Sequence, residues 1–189
     1  MRAPTVFTFS VFAFSILACL ASSPALAFQG ENLLVSLPSG YKVDFQKKEG
    51  KAQITEMVPV AESVNNWSEM LTVQVFYGLK AAPEQFLDRV KQGWLKACPG
   101  AESASLVSAV ESGYPMAMWL LACPLNSDTG KPEMTFLKAI SGKDSFYVVQ
   151  KAFKFTPSKE QTATWTQFLK KVTVCDTRLA DRACPAGIK

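Results

Sequence analysis

Apolar side chains in this chain return at every second position in one segment after another. Leu33, Val35 and Leu37 form one such set. Tyr41, Val43 and Phe45 form the next, alternating against Lys42, Asp44 and Gln46, and Leu71, Val73, Val75 and Tyr77 form a third. A period of two puts successive side chains on opposite faces of an extended chain, so each set marks a strand with one buried face. Pro38-Ser39-Gly40 supplies turn chemistry between the first two sets, which therefore read as strand, turn, strand. Glu49-Gly50 marks the next turn, a further strand is expected from Lys51 to Val58, and Gly78 closes the Leu71–Tyr77 set. The first third of the chain reads as an antiparallel meander.

The helical period of three and four appears in only two places. After Pro83, a residue suited to the first helical position, Phe86, Leu87, Val90, Trp94 and Ala97 share one face, and Cys98-Pro99-Gly100 ends the run. After Thr156-Pro157, Trp165, Phe168, Leu169 and Val172 repeat the pattern. Between the two helices the strand signal returns. Tyr114 to Cys123 is almost uninterrupted apolar sequence, as expected of a strand covered on both faces. Turn residues from Asn126 to Gly130 lead into Met134 to Ile140, and Gly142-Lys143-Asp144 leads into Ser145 to Phe155. Helices that do not follow every strand predict an α+β protein, an antiparallel β-sheet with two main α-helices packed on it. At 189 residues and 48% apolar composition the chain can bury one sizeable core, and no long linker divides it.

This order of elements, with the Leu37-Pro38-Ser39-Gly40-Tyr41 turn and the Asn66-Trp67-Ser68-Glu69 lead-in to a strand, resembles the PsbP-like fold family. Among its bacterial members are small DcrB-like envelope proteins, and the chain also resembles secreted proteins of alphaproteobacteria. The resemblance implies a non-catalytic accessory or binding domain and brings no active site with it.

Residues 1–27 have the form of a secretory leader. Arg2 is followed by an apolar run from Val6 to Leu20, and the segment ends Ala25-Leu26-Ala27. The run is shorter than the ~20 residues needed to cross a bilayer, so cleavage after Ala27 is expected rather than anchoring. No membrane span would then remain. Ile16-Leu17-Ala18-Cys19 offers the alternative of a lipoprotein anchored through Cys19. Residues 28–189 form the expected domain, with 173–189 as a tail needing a covalent tie.

Four cysteines follow the leader: Cys98, Cys123, Cys175 and Cys184. An even number in an exported chain reads as disulfides. Of three possible pairings, Cys98 with Cys123 and Cys175 with Cys184 are preferred, because near partners close first and each cysteine adjoins an expected element end. Loop entropy gives these bridges roughly 3.5 and 2.7 kcal/mol. No Cys-x-x-Cys redox motif is present, and the paired ligand spacing of a zinc site is missing. The net charge of +4 drops by one without Arg2. The lysines, Lys138 among them, are scattered, which reads as solvated faces rather than a nucleic-acid stripe.

Chemistry is constrained by the complete lack of histidine, which removes Ser-His and Cys-His nucleophile pairs and imidazole metal sites. Ser39 and Lys42 satisfy a Ser-x-x-Lys pattern, but three residues apart on a strand they point to opposite faces. Thr129-Gly130-Lys131 lacks the earlier glycine of a phosphate loop and reads as a hairpin turn. Asn126, Asp128 and Glu133 miss the spacing of a calcium loop and read as turn residues. No cofactor or metal is expected. Two carboxylates among Asp44, Glu69 and Glu133 could serve a histidine-free, glycosidase-like hydrolase, the alternative function. The most site-like stretch is Asn65 to Glu69, where Asn66, Trp67 and Glu69 could touch a sugar or a protein. Trp94, Trp119 and Trp165 read as core. The expected function is an exported, non-enzymatic envelope protein, periplasmic or secreted, that binds a partner or ligand.

Overall fold

The structure is a computed structural model, and it describes residues 29–127 and 129–185. The expected leader, with Cys19 and the Ala27 cleavage point, lies outside the described residues, as does Asp128. In chain order the elements are β1 (Glu31–Leu34), β2 (Tyr41–Glu49), β3 (Ala52–Pro59), β4 (Glu69–Tyr77) and α1 (Pro83–Ala97). There follow β5 (Glu102–Glu111), β6 (Tyr114–Asn126), β7 (Lys131–Ser141), β8 (Ser145–Phe153), α2 (Lys159–Lys171) and β9 (Thr173–Asp176). A short 3-10 turn spans Ala180–Arg182.

One antiparallel sheet runs β2-β3-β4-β8-β7-β6-β5. It is two meanders joined at β4 and β8, and α1 is the crossover that carries the chain from β4 to the far edge at β5. The α1 face buries Phe86 and Leu87 against Ala117, Leu137, Phe146 and Val148. The opposite face carries Leu71, Val73, Met116, Phe136, Tyr147, Val149 and Phe153, covered by Trp165, Leu169 and Val172 of the α2 segment and by Val174. The expected α+β architecture therefore holds, with one helix on each face of the sheet. Such burial contributes about 1.5–3 kcal/mol for each fully enclosed large side chain.

Three local expectations differ from the structure. Pro38-Ser39-Gly40 does turn the chain, with Tyr41 N donating to Pro38 O at 3.1 Å, but β1 and β2 are not a hairpin. β1 pairs instead with β9, Glu31 opposite Asp176 and Leu34 opposite Thr173. Alternation fixes which side of a strand is buried, not which strand it pairs with, and Leu33 and Val35 satisfy it by packing across the sheet face. The tail thus starts as a paired strand, and Glu31 pins this ribbon by accepting from Asp144 N and Ser145 N, each at 3.1 Å. α2 starts later than Thr156-Pro157, because Ser158 and Gln161 form a reciprocal capping box. The sequence periodicity does not predict β5, which has no clean alternation because most of it is exposed on a sheet edge.

Disulfides join Cys98 to Cys123 and Cys175 to Cys184, the preferred pairing. The first ties the end of α1 to β6, and the second ties β9 to the residues beyond the 3-10 turn. Among the described residues no helix is long and apolar enough to cross a membrane.

Candidate functional site

The inward series on β8 is Tyr147, Val149, Lys151 and Phe153, so a lysine occupies a core position. Its Nζ donates to Glu69 Oε2 at 2.7 Å and to Tyr41 Oη at 2.6 Å, and Tyr41 Oη donates to the same Glu69 oxygen at 2.7 Å. Aromatic rings close over the remaining side of the ammonium. Nζ is 3.9 Å from the Trp165 ring centroid, 4.6 Å from Phe153 and 4.8 Å from Tyr41. Burial pushes Lys151 down to about 8, against the opposing pull of Glu69. Burial and then the Glu69 carboxylate push the Tyr41 phenol upward. Glu62 stands nearby. Burial raises its pKa, but donors from the Ser68 side chain and backbone outweigh that and hold it below the usual carboxylate range. The cluster reaches the surface at the edges of Glu69, 22% exposed, and Tyr41, while the amine is sealed.

Lys138 on β7 is also sealed. It donates to Glu111 Oε2 at 2.6 Å, Val172 O at 2.7 Å and Leu169 O at 3.2 Å, so it caps the end of α2. The expectation of solvated lysines is corrected at Lys138, and Lys151 departs from that pattern too. In both cases a strand in the sheet interior carries the residue inward, and oxygens await it there.

A cavity of about 390 Å³ opens on the α1 face, beside the Cys98–Cys123 bridge. Trp67, Trp94, Met134 and Phe153 line it, with Gln150 and Glu133 as polar members. Lys154 Nζ lies 3.9 Å over the Trp67 ring, and Glu133 accepts from Thr129 Oγ1 at 3.3 Å.

The segment singled out in the sequence is divided by this arrangement. Asn66 is exposed in a small turn, where its N donates to Ser63 O at 2.9 Å. Trp67 is half-buried in the cavity wall, and Glu69 is committed to Lys151 under α2. Trp94 packs against the α1-face core, as does Trp119, and its half-buried ring also forms part of the cavity wall. The carboxylates of the hydrolase alternative are dispersed: Glu69 beside Lys151, Glu133 at the cavity, and Asp44 accepting from Val64 N at 2.8 Å. Sequence reasoning missed Lys151 and Tyr41. The available signal was a lone charge in the inward register of β8, paired diagonally with a glutamate in the inward register of β4.

The fold is an antiparallel sheet between two helical layers. Solved structures with a similar arrangement include a point mutant of the protein Mog1, at 12% identity and TM-score 0.44 over 72% of this chain and 78% of that one. The Ran-binding protein Mog1p of Saccharomyces cerevisiae is similar at 11% identity and TM-score 0.42, over 75% of this chain and 85% of its own. LpqN of Mycobacterium tuberculosis, involved in cell envelope biogenesis, is similar at 12% identity and TM-score 0.40, over 82% and 87%. Overlaps of this extent say nothing about partner or chemistry. No protein-family profile and no curated protein sequence matches the chain.

Proposed function

We propose that this chain is an exported, non-enzymatic envelope protein that binds a ligand or protein side chains in the cavity at Trp67. The observation that carries the reading is the cavity itself, about 390 Å³, largely apolar, with two tryptophans and few polar groups. That is the composition of binding sites in general, where apolar walls supply affinity and sparse polar groups set orientation. Asn66 stands in the turn leading to Trp67 and is the accompanying polar contact. The dispersal of Asp44, Glu69 and Glu133 disfavours hydrolysis by a carboxylate pair drawn from these three. Export is supported by the leader-like residues 1–27 and by the two disulfides.

Two measurements test the reading. Fractionation of cells carrying the full chain should place it outside the cytosol, with an N-terminus at Phe28 by mass spectrometry. An acylated Cys19 would instead make it an anchored lipoprotein, and an intact leader with reduced thiols in the cytosol would overturn export. Envelope extracts passed over immobilised protein should yield species that Trp67→Ala loses and an exposed control, Lys47→Ala, keeps. Equal recovery by Trp67→Ala, with an unchanged melting transition, would remove the cavity as the binding site.

A further inference from the structure

The sheet has two edges, and they are built differently. β2 carries Lys42, Asp44, Lys47, Lys48 and Glu49 within nine residues, a charged edge that repels added strands. β5 is ten residues long and has no charge between Glu102 and Glu111. It carries neither lysine nor proline, and Leu106, Val107 and Val110 stand 43%, 36% and 68% exposed. An extended edge with no charged residue of its own between its ends and with apolar side chains in water is a template for strand addition. The carboxylate held against it is Glu84 of α1, which accepts from Ser108 Oγ at 2.7 Å.

The strand's own order points to the occupant. Glu-Ser-Ala-Ser-Leu-Val-Ser-Ala-Val-Glu reads nearly the same in both directions. We propose that two copies of this chain pair edge to edge through β5, antiparallel, about a two-fold axis between Leu106 and Val107. Ser105 then faces Ser108 of the second copy, Ala104 faces Ala109, and Ser103 faces Val110, which gives a self-complementary isologous contact. At the ends Glu102 meets Glu111 of the second copy. Glu111 is already paired with Lys138 Nζ at 2.6 Å, so two bare like charges do not face each other. In its pairing with β6 the strand is regular from Glu102 to Ser105 and from Val107 to Glu111, so the bulge confines its local distortion to the centre of the contact. The contact lies apart from the Trp67 cavity and does not depend on its occupancy.

Sedimentation of the purified full chain over a concentration series tests this pairing. A reversible monomer–dimer equilibrium is expected. Val107→Lys places like charges across the axis and should weaken dimerisation by about tenfold or more. Glu102→Lys replaces an acidic residue facing Glu111 with a basic one and should tighten it severalfold, an arm that no general loss of structure can imitate. Gln46→Lys on β2 should leave the equilibrium unchanged. A monomer at every concentration, a dimer indifferent to Val107→Lys, or a dimer abolished by Gln46→Lys would each overturn the proposal.

Discussion

Lys138 and Lys151 stand on adjacent strands, on the same face of one sheet, and both ammonium groups are sealed from water. Their surroundings nonetheless differ in kind. Lys138 has three donors and three oxygens to receive them, two of which are carbonyls at the end of α2. Those carbonyls carry the negative end of the helix dipole, so a cation there is favoured twice over. Lys151 has two oxygens, one of them a phenol, and its remaining side faces aromatic rings. Burial alone therefore does not decide what a lysine does in a core. The number and charge of its acceptors decide it: Lys138 fastens a helix, whereas Lys151 has Glu69 as its one directly bonded carboxylate, with Glu62 acting from further off.

The sharpest way to break this contrast is Glu69→Ala. It leaves the Lys151 ammonium buried with no carboxylate bonded to it, and removing one partner of such a pair costs about 3–5 kcal/mol. Urea unfolding should show that loss, and the double variant Glu69→Ala with Lys151→Met should recover most of it. Recovery is the informative part, since it assigns the penalty to the stranded charge rather than to the space left by Glu69. A loss that persists in the double variant would mean that Glu69 supports the fold by some other route.

Lys138→Met comes next, at about 2–3 kcal/mol by the same measurement. Here the stranded groups are the Leu169 and Val172 carbonyls, and half-exposed Glu111 can turn to water. Amide hydrogen exchange should locate the damage in the last turn of α2. Protection there equal to that of the unaltered chain would show that α2 does not need its lysine cap.

The sequence made the architecture readable and left these two residues invisible, for a physical reason. Alternation at Tyr41–Phe45 and Leu71–Tyr77, and the three-four spacing after Pro83, are local properties, and they placed strands and helices closely. Pairing partners are not local, so the pairing of β1 with β9 could not be read from Leu33 and Val35. A lysine among apolar residues likewise looks like a break in the pattern until the facing strand and helix are known. Trp67 stood out in the sequence because an amphipathic ring beside amides is unusual by itself, and it lies in the cavity wall. Glu69 looked like its neighbour in function but belongs to the other face. Trp94 was hidden by helical spacing that fits a core position equally well.

The smallest effect sharpens the comparison most finely. At neutral pH, Lys151→Met should change stability by less than about 1 kcal/mol, because the aromatic surround accepts a thioether and Glu69 keeps Tyr41 as donor. The difference between the two proteins should then vary with pH. Folded Lys151 loses its proton near pH 8, whereas the unfolded side chain keeps it until about 10.5. Between these values the unfolded chain binds more protons, so the unaltered protein gains stability with rising pH relative to the variant, by at most about 1.4 kcal/mol per pH unit. The comparison belongs between pH 8 and 10. Above that range Tyr41 and Tyr147, both raised first by burial, keep protons in the folded chain that the unfolded chain releases, and stability falls again. A difference between Lys151→Met and the unaltered protein that stays constant from pH 8 to 10 would show that the folded chain does not release the Lys151 proton early.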